Sequence, residues 1–363
     1  MKTPFGKRRR ELLAQLAAAK LDGLLVSRPA NWYYLTGFTG DSGALLATKR
    51  GTALVTDGRF TGQARQETSG VRIVPQSRSL LDSAGAWLAS QRVRRVGFDP
   101  QQTSVAQLRA LRKATGSRVE WTPAAAIPEG PEGLRMKKDA SELALMRKAA
   151  ILASEVVAGA AKLLKPGVRE FEIAAEIEYQ MRCKGASGPA FETIVASGRR
   201  TALPHARPTA KRLRKNELVV LDLGAILAHY CSDITRTFYL GRAPARIRGW
   251  YRAVQEAQIA AIAAVRAGAS CGEVDGAARQ VLAGYRLDRY FVHSTGHGLG
   301  LEVHEDPRIA KGQSRRLEPG NVVTIEPGVY VEGVGGIRIE DDVAVHVDRT
   351  EVLTRFTRDL IEI

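Results

Sequence analysis

The chain has 363 residues, too many for one ordinary hydrophobic core, so two or three domains are expected. Apolar residues make up 44% and charged residues 25%, as in globular proteins, and no apolar run approaches the roughly 20 residues that a membrane span needs. Three cysteines without a CxxC pair are too few for a disulfide framework, and a reducing, cytoplasmic setting is expected.

The net charge of +16 comes partly from short basic runs at residues 7–10, 92–95 and 211–215. Such runs are compatible with a nucleic-acid surface. No aromatic residues are interleaved with them to stack on bases, so a solvated basic face is favoured and no nucleic-acid partner is expected. The residues after the first run follow helical spacing, which predicts an amphipathic first helix and no targeting signal.

Residues 21–125 alternate short apolar runs with helical stretches, which predicts a layered α/β domain over residues 1–130. The predicted strands lie at 24–26, 44–47, 52–56, 71–74 and 95–98, and the predicted helices at 59–67, 79–91 and 103–115. The segment 31–40 is rich in aromatic residues and glycine. It fits either a surface loop that presents rings to a ligand or partner, or simple core packing.

Prolines and glycines cluster between residues 123 and 133, which indicates a linker and a second domain over residues 131–363. Asp139 then offers a helix N-cap, with Glu142 as its capping-box partner. Two helices followed by strands occur twice in this domain, which predicts two similar halves about a pseudo-two-fold axis. The first half has helices to about 164 and at 170–184 with strands at 193–195, 218–223 and 231–239, and the second has helices at 244–267 and 272–285 with strands at 322–325 and 337–345.

The stretch 293–305 contains three of the six histidines, His293, His297 and His304, interleaved with glycines. Each glycine in a helix interior costs about 1 kcal/mol relative to alanine, so an extended or looped segment is predicted. Glycine there allows something to approach the backbone closely. The stretch therefore indicates a functional site if carboxylates elsewhere converge on it.

Two pairs of carboxylates elsewhere in the sequence could converge on the histidines. Asp222 ends an apolar run and Asp233 lies in the next strand, so a hairpin turn between residues 227 and 228 would place the two directly opposite each other. Glu326 and Glu340 follow the same pattern, with a hairpin centred on Gly333. A charge at the end of a buried strand is costly unless it is paired or binds a metal.

Four carboxylates and a histidine suit two divalent metal ions, because two dications cancel the four negative charges. Oxygen and nitrogen donors without thiolate favour Mn²⁺, Co²⁺ or Zn²⁺. The alternative is a set of ordinary salt-bridged acids, since arginine is abundant. That alternative is reasonable for any one acid but not for all four together with the histidine stretch.

These residues resemble the pita-bread metallopeptidases, the family of aminopeptidase P, prolidase and methionine aminopeptidase. The motifs LDLGA (221–225), SDITRT (232–237), the histidine stretch, IEPG (325–328) and IRIED (337–341) occur in the family's order. The resemblance covers about residues 135–363, and YLTGF (34–38) and TDGR (56–59) resemble the N-terminal domain of aminopeptidase P and prolidase. It implies an α/β domain followed by an α+β pita-bread (creatinase/aminopeptidase-like) catalytic domain.

The resemblance also assigns roles in metal binding. It implies two divalent ions per subunit, manganese first and cobalt or zinc as alternatives, which would activate water as the nucleophile. Glu326 would in addition serve as a proton shuttle. The implied ligands are Asp222 on one ion, Asp233 and Glu340 bridging both, and His297 and Glu326 on the other.

Further residues are implied to act on the substrate. His304 would steady the oxyanion of the tetrahedral intermediate. His293 would line the pocket for proline, and His205 matches the family's gating histidine, so both would be catalytic and substrate-binding. Tyr230 and Arg338 would support the site and contact the substrate.

The implied activity is hydrolysis of the peptide bond that precedes proline, whose nitrogen carries no hydrogen. The segment 36–41 favours an aminopeptidase P type enzyme, which removes the first residue of Xaa-Pro peptides, over a prolidase, which accepts only Xaa-Pro dipeptides. A catalytically inactive relative that binds protein or nucleic acid is a further alternative. The resemblance implies a homodimer whose partner is a proline-containing peptide, without membrane attachment.

Overall fold

The computed structural model describes residues 4–123, 127 and 130–363, which form two compact units, Met1–Arg135 and Met136–Ile363. The predicted division between residues 130 and 131 stays a prediction, and Pro128 of the predicted linker lies outside the described residues. The elements of the N-terminal part are α1 (Phe5–Ala18), β1 (Gly23–Val26), α2 (Pro29–Thr36), β2 (Ala44–Thr48), β3 (Gly51–Thr56), α3 (Thr61–Glu67), β4 (Arg72–Pro75), α4 (Leu80–Ser90), β5 (Arg95–Phe98), α5 (Val105–Thr115), β6 (Glu120–Pro123) and α6 (Gly130–Met136).

The N-terminal unit is built on one mixed sheet in the order β4-β3-β2-β1-β5-β6. β1 and β2, and β2 and β3, pair antiparallel, whereas the remaining neighbours pair parallel. The strands bury runs of apolar residues, which pack against α4 and α5. The predicted α/β layering is confirmed. The sequence did not predict β6, because Trp121 is flanked by polar residues and proline there.

The aromatic segment 31–40 forms a helix and a turn. Pro29 lies in the first turn of α2, where its fixed φ suits a helix start, and Gly37 ends the helix with a φ of 82°. Trp32, Leu35 and Phe38 are buried. The rings therefore fill the core of this unit, and the surface-loop interpretation is wrong.

In the second unit, two helices followed by strands occur twice. Asp139 accepts hydrogen bonds from two backbone N–H groups at the start of its first helix and forms the predicted capping box with Glu142. Its first half comprises α7 (Ala140–Ala161), α8 (Glu170–Cys183), β7 (Gly188–Pro189), β8 (Ile194–Ser197), β9 (Glu217–Leu223), β10 (Ala225–Leu227), β11 (Tyr230–Cys231) and β12 (Ile234–Leu240). Its second half comprises α9 (Ala245–Ala264), α10 (Cys271–Gly284), β13 (Gly296–Gly298), β14 (Glu305–Ile309), β15 (Val322–Ile325), β16 (Gly328–Val331), β17 (Gly335–Arg338), β18 (Asp341–Val345), β19 (Thr350–Val352) and β20 (Ile361–Glu362).

The two helices of each half pack mainly against strands of the same half, and part of α7 shares a further core with β15 and β18. α7 and α8 share a core with β8, β9 and β12, whereas α9 and α10 share a core with β15, β17 and β18. The sheets run in the orders β20-β12-β9-β8, β11-β10-β7, β14-β13-β15-β18-β19 and β16-β17. The predicted repeat of two helices and strands is confirmed. Within the described ranges, no helix has both the length and the apolar character to cross a membrane.

Candidate metal centre

The strand pairing in the second half places its two glutamates opposite each other. β15 pairs with β18, and β16 pairs with β17, around a common centre at Gly333, whose φ is 74°. Glu326 and Glu340 lie opposite each other where the pairing passes from one strand pair to the next. The predicted hairpin is therefore confirmed. The flanking pairs are Ile325 with Asp341 and Gly328 with Arg338.

The register of the first half differs from the prediction. Asp222 pairs with Thr235, not with Asp233. The turn lies at Ala228 and His229, one residue later than expected, and both have positive φ, 48° and 73°. Neither residue is a usual former of such a turn, so residue type does not indicate its position. Asp233 nevertheless reaches the same cluster, since it lies in the gap between β11 and β12.

The glycines of the histidine stretch allow strands to approach closely. A Cβ atom at Gly296 would lie 1.8 Å from the carbonyl oxygen of Thr324, and one at Gly298 would lie 2.2 Å from that of Asp306. Both contacts are far shorter than any side chain allows. β13 is therefore extended, as predicted, and carries His297 between its two neighbouring strands.

The imidazole of His297 faces the acids. Its Nδ1 lies 2.9 Å from the carbonyl oxygen of Gly298, which requires a proton on Nδ1 and leaves Nε2 free as a ligand. Nε2 lies 3.5 Å from a carboxylate oxygen of Glu326 and 3.9 Å from one of Asp233. Ligand atoms of Asp233, His297 and Glu340 all lie within 4.8 Å of one another.

Three carboxylate oxygens in this cluster are buried and accept no hydrogen bond from any described residue. They are Oδ1 of Asp222, Oδ1 of Asp233 and Oε1 of Glu340. A buried oxygen without a donor is costly, and a cation supplies what is missing. The donor set of carboxylates and one imidazole, without thiolate, fits hard or borderline divalent ions. The residues present therefore fit the metal ions that the sequence predicts.

The pKa values of the predicted ligands also fit a metal site. Burial, followed by repulsion from Glu340, raises the pKa of Asp233 well above its usual range. Burial and repulsion from Glu326 raise the pKa of Glu340 in the same direction. Burial raises the pKa of Glu326 to about 7. Burial also lowers the pKa of His297 to about 4, so the imidazole is neutral at neutral pH, as a metal ligand must be.

Arg338 bonds to several residues of the cluster and its surroundings. Its guanidinium donates to Oδ2 of Asp222, to the hydroxyl of Tyr330 at 2.7 Å and to Oγ1 of Thr235 at 3.1 Å. Thr235 in turn donates to Oε2 of Glu340 at 2.6 Å. The arginine thus orients two predicted metal ligands, one directly and one through Thr235, a residue that the sequence reasoning missed.

Two further residues that the sequence did not single out contact the site: Asp342 bonds to a predicted ligand, and Lys138 bonds to the neighbour of His304. The backbone N–H of Asp233 donates to Oδ2 of Asp342 at 3.1 Å. The buried ammonium of Lys138 lies 3.1 Å from a carboxylate oxygen of Glu305, which directly follows His304. Every residue of β18 is buried, so burial along the strand does not single out Asp342 or indicate its partner.

The cluster opens into a cleft with an empty volume of about 820 Å³, part of it open to solvent. All five predicted metal ligands line it, together with His205, His304 and Arg338. Burial lowers the pKa of His304, whose ring centre lies 4.4 Å from that of His297. The remaining lining residues, which the sequence did not single out, are Phe191, Glu192, Ile194, Arg207 and Val303.

Two predicted substrate contacts do not line this cleft. Tyr230 is buried, and its hydroxyl donates to Oε1 of Glu142 at 2.8 Å, so the structure does not bring it to the cleft. The imidazole of His293 contacts two residues: its Nδ1 lies 4.0 Å from a carboxylate oxygen of Glu326, and its Nε2 lies 2.9 Å from the hydroxyl of Tyr330. Burial lowers the pKa of His293 to about 4.

The chain is similar in sequence and structure to proteins that are named as Xaa-Pro peptidases. The Xaa-Pro dipeptidase of Pyrococcus furiosus is 44% identical over 228 residues, covering 63% of this chain and 66% of that protein. The solved Xaa-Pro dipeptidase from Bacillus anthracis has a TM-score of 0.94 at 34% identity, covering 99% of this chain and 100% of that one. The X-Pro aminopeptidase from Thermotoga maritima has a TM-score of 0.87 at 33% identity, covering 98% and 100%.

Family models match both parts of the sequence. The Creatinase/Prolidase N-terminal domain matches residues 8–131, and the metallopeptidase family M24 matches residues 144–346. Together with the solved structures, these matches confirm the predicted fold class, an α/β N-terminal domain followed by a pita-bread catalytic domain. The second match spans more than half of the chain and includes every predicted metal ligand, and the chain therefore belongs to metallopeptidase family M24.

Proposed function

We propose that this peptidase is an Xaa-Pro dipeptidase that uses two divalent metal ions. The metal chemistry rests on one observation: three buried carboxylate oxygens, to which no described residue donates a hydrogen bond, converge on one open cleft. The substrate class rests on the likeness to the Xaa-Pro dipeptidases of Pyrococcus furiosus and Bacillus anthracis. Intact donors also favour an enzyme over the catalytically inactive binding protein.

The metal ligands in this proposal are Asp222, Asp233, His297, Glu326 and Glu340. Divalent ions bound by them would polarise the scissile carbonyl group and lower the pKa of water. We propose manganese, since the set offers oxygen and nitrogen donors and no thiolate.

The chain's own side chains then complete the site. Glu326 lies at the cleft and carries a proton to the proline nitrogen as the bond breaks. His304, on the wall of the same cleft, donates a hydrogen bond to the oxygen that gains negative charge. His205 lies on the wall and orients the substrate, while Arg338 keeps Asp222 in place.

The dipeptidase is now preferred over the aminopeptidase P type, which the segment 36–41 favoured. Phe38 in that segment is fully buried, so its ring does not meet a substrate within its own unit. The sequence likeness to dipeptidases therefore outweighs this local motif.

A substrate-length assay tests the proposal. With manganese supplied, we expect hydrolysis of Ala-Pro with a kcat/KM at least about tenfold above that of Ala-Pro-Ala, because a cleft built for dipeptides loses transition-state binding with a longer chain. His297→Ala, which removes a ligand, serves as the inactive control. Faster cleavage of the tripeptide would indicate the aminopeptidase P type. An inert, metal-replete protein that binds nucleic acid with a steep salt dependence would refute the enzyme.

We further propose a cytoplasmic homodimer. Sedimentation equilibrium tests the mass, and cell fractionation tests the location. Metal analysis of protein purified without added metal tests the choice of manganese over cobalt or zinc.

A further inference from the structure

Glu170 is a buried acid that the proposed chemistry does not use. It is the first residue of α8 and its side chain is fully buried. Its Oε1 accepts hydrogen bonds from the N–H and hydroxyl groups of Ser197 at 2.9 and 2.8 Å. Its Oε2 accepts the same two groups of Thr209 at 3.1 and 2.7 Å, and Nε of Arg200 at 3.1 Å. Both oxygens are thus fully supplied with donors.

These bonds close a loop. Ser197 ends β8, and Thr209 lies twelve residues later, so one carboxylate joins the two ends of the segment that we call the 198–208 loop. Loops of this length whose ends meet form compact units with fixed side chains. A carboxylate that accepts several hydrogen bonds holds its donors more firmly than neutral groups do.

The 198–208 loop forms part of the cleft wall. It carries His205 and Arg207, which both line the cleft. Nη2 of Arg200, beside Glu170, donates to the carbonyl oxygen of Arg207. Before His205 in the chain, the carbonyl oxygen of Pro204 accepts a hydrogen bond from Nη1 of Arg338 at 3.1 Å. His205 therefore lies between two fixed points, one near Glu170 and one at the metal cluster.

We propose that Glu170 is a positioning residue that holds His205 at the cleft by joining the two ends of the 198–208 loop. This inference rests on the proposed function for its kinetic consequence, but not for its structural one. Glutamine is a poor substitute, because its amide group would turn an N–H donor towards the N–H of either Ser197 or Thr209. Aspartate keeps the charge but is one methylene shorter, so it does not reach both ends at once.

The test uses Glu170→Ala and the milder Glu170→Asp in the full chain, alone and combined with His205→Ala. We expect kcat/KM on Ala-Pro to fall by about tenfold or more, since a misplacement of about 1 Å can cost about 100-fold. Bound manganese should stay unchanged. In the His205→Ala background the substitution at 170 should have no further effect on kcat/KM, because residues that act through each other are not additive.

Hydrogen–deuterium exchange separates this inference from the proposed function. Amides of the 198–208 loop and of Thr209 should exchange faster in the Glu170 variants, even if the wild type cleaves no Xaa-Pro peptide. Glu351→Gln is the matched control, since it removes an acid bonded to Arg147 and His346 outside the cleft. It should lower stability without changing exchange in the loop or kcat/KM. Unchanged exchange in the Glu170 variants, or losses that multiply with those of His205→Ala, would overturn the inference.

Discussion

Removing the metal ions should make the protein sensitive to rising pH. Without a cation, Glu326 has a folded pKa of about 7, against an ordinary value of 4.5, because it is buried. A group whose folded pKa is raised stabilises the fold fully below its unfolded pKa, and this contribution is lost as the pH rises through the folded value. Asp233 and Glu340 shift in the same direction. Chelated protein should therefore lose stability between pH 5 and pH 8.

The size of the effect follows from the pKa of one acid. Ionising Glu326 in the metal-free fold, with its pKa moved from 4.5 to about 7, costs about 3 kcal/mol, since a tenfold change in an acid constant is worth about 1.4 kcal/mol. For a domain of this size, about 3 kcal/mol lowers Tm by about 6 °C or more. Asp233 and Glu340 add to this loss.

Thermal unfolding of chelated and manganese-loaded protein between pH 5 and pH 8 measures the effect. We expect the gap in Tm between the two forms to widen by about 6 °C or more towards pH 8. The neutral imidazole of His297 affects both forms alike and cancels from the gap. Metal-free Glu326→Gln should lose less stability over the same range, because it has no charge to bury. Parallel curves for the chelated and loaded wild type would refute the reasoning.

Four further substitutions have defined outcomes. His297→Ala should lose bound metal, whereas His304→Ala should keep it and lower kcat about 100-fold, as measured by metal analysis and kinetics; equal metal loss would contradict the separate roles. Gly296→Ala should lower the free energy of unfolding in urea by about 3 kcal/mol, because the new Cβ would lie 1.8 Å from the Thr324 carbonyl oxygen. Hydrogen bonds from Arg147 lower the pKa of Glu351 to about 2, so Glu351→Gln should lose up to about 1 kcal/mol at pH 7, and this difference should disappear as the pH falls from about 4.5 to about 2.

The two hairpins explain which parts of the site the sequence predicts. Gly333 marks a backbone of positive φ, so the pairing of Glu326 with Glu340 could be read in advance. Ala228 and His229 adopt the same kind of backbone without a glycine, and the first register was therefore placed one residue early. A turn with positive φ can be predicted from the sequence when glycine occupies it, but not when other residues do.

Contacts between distant segments are the other part that local patterns do not supply. Thr235 donates to Glu340 across 105 positions of sequence, and nothing around either residue indicates the pairing. Glu170 looks like an ordinary acidic residue in the first turn of a helix, a common position. Its role depends on the path of the chain after β8. Helices, strands and ligands follow from the local pattern, whereas their supporting contacts follow from the fold.

Three of the five proposed metal ligands lie outside the paired strands. Asp233, Glu326 and Glu340 all lie in gaps between the assigned strands, and the N–H groups of the two glutamates donate to the carbonyl oxygens of Thr295 and Thr235. Replacing these side chains would remove metal ligands but would leave the backbone hydrogen bonds between the strands intact. In evolutionary terms, a descendant could lose the metals in a few substitutions and still inherit the complete scaffold. Within such a lineage, the carboxylates between the strands would distinguish an active peptidase from a protein that keeps the fold but has another function.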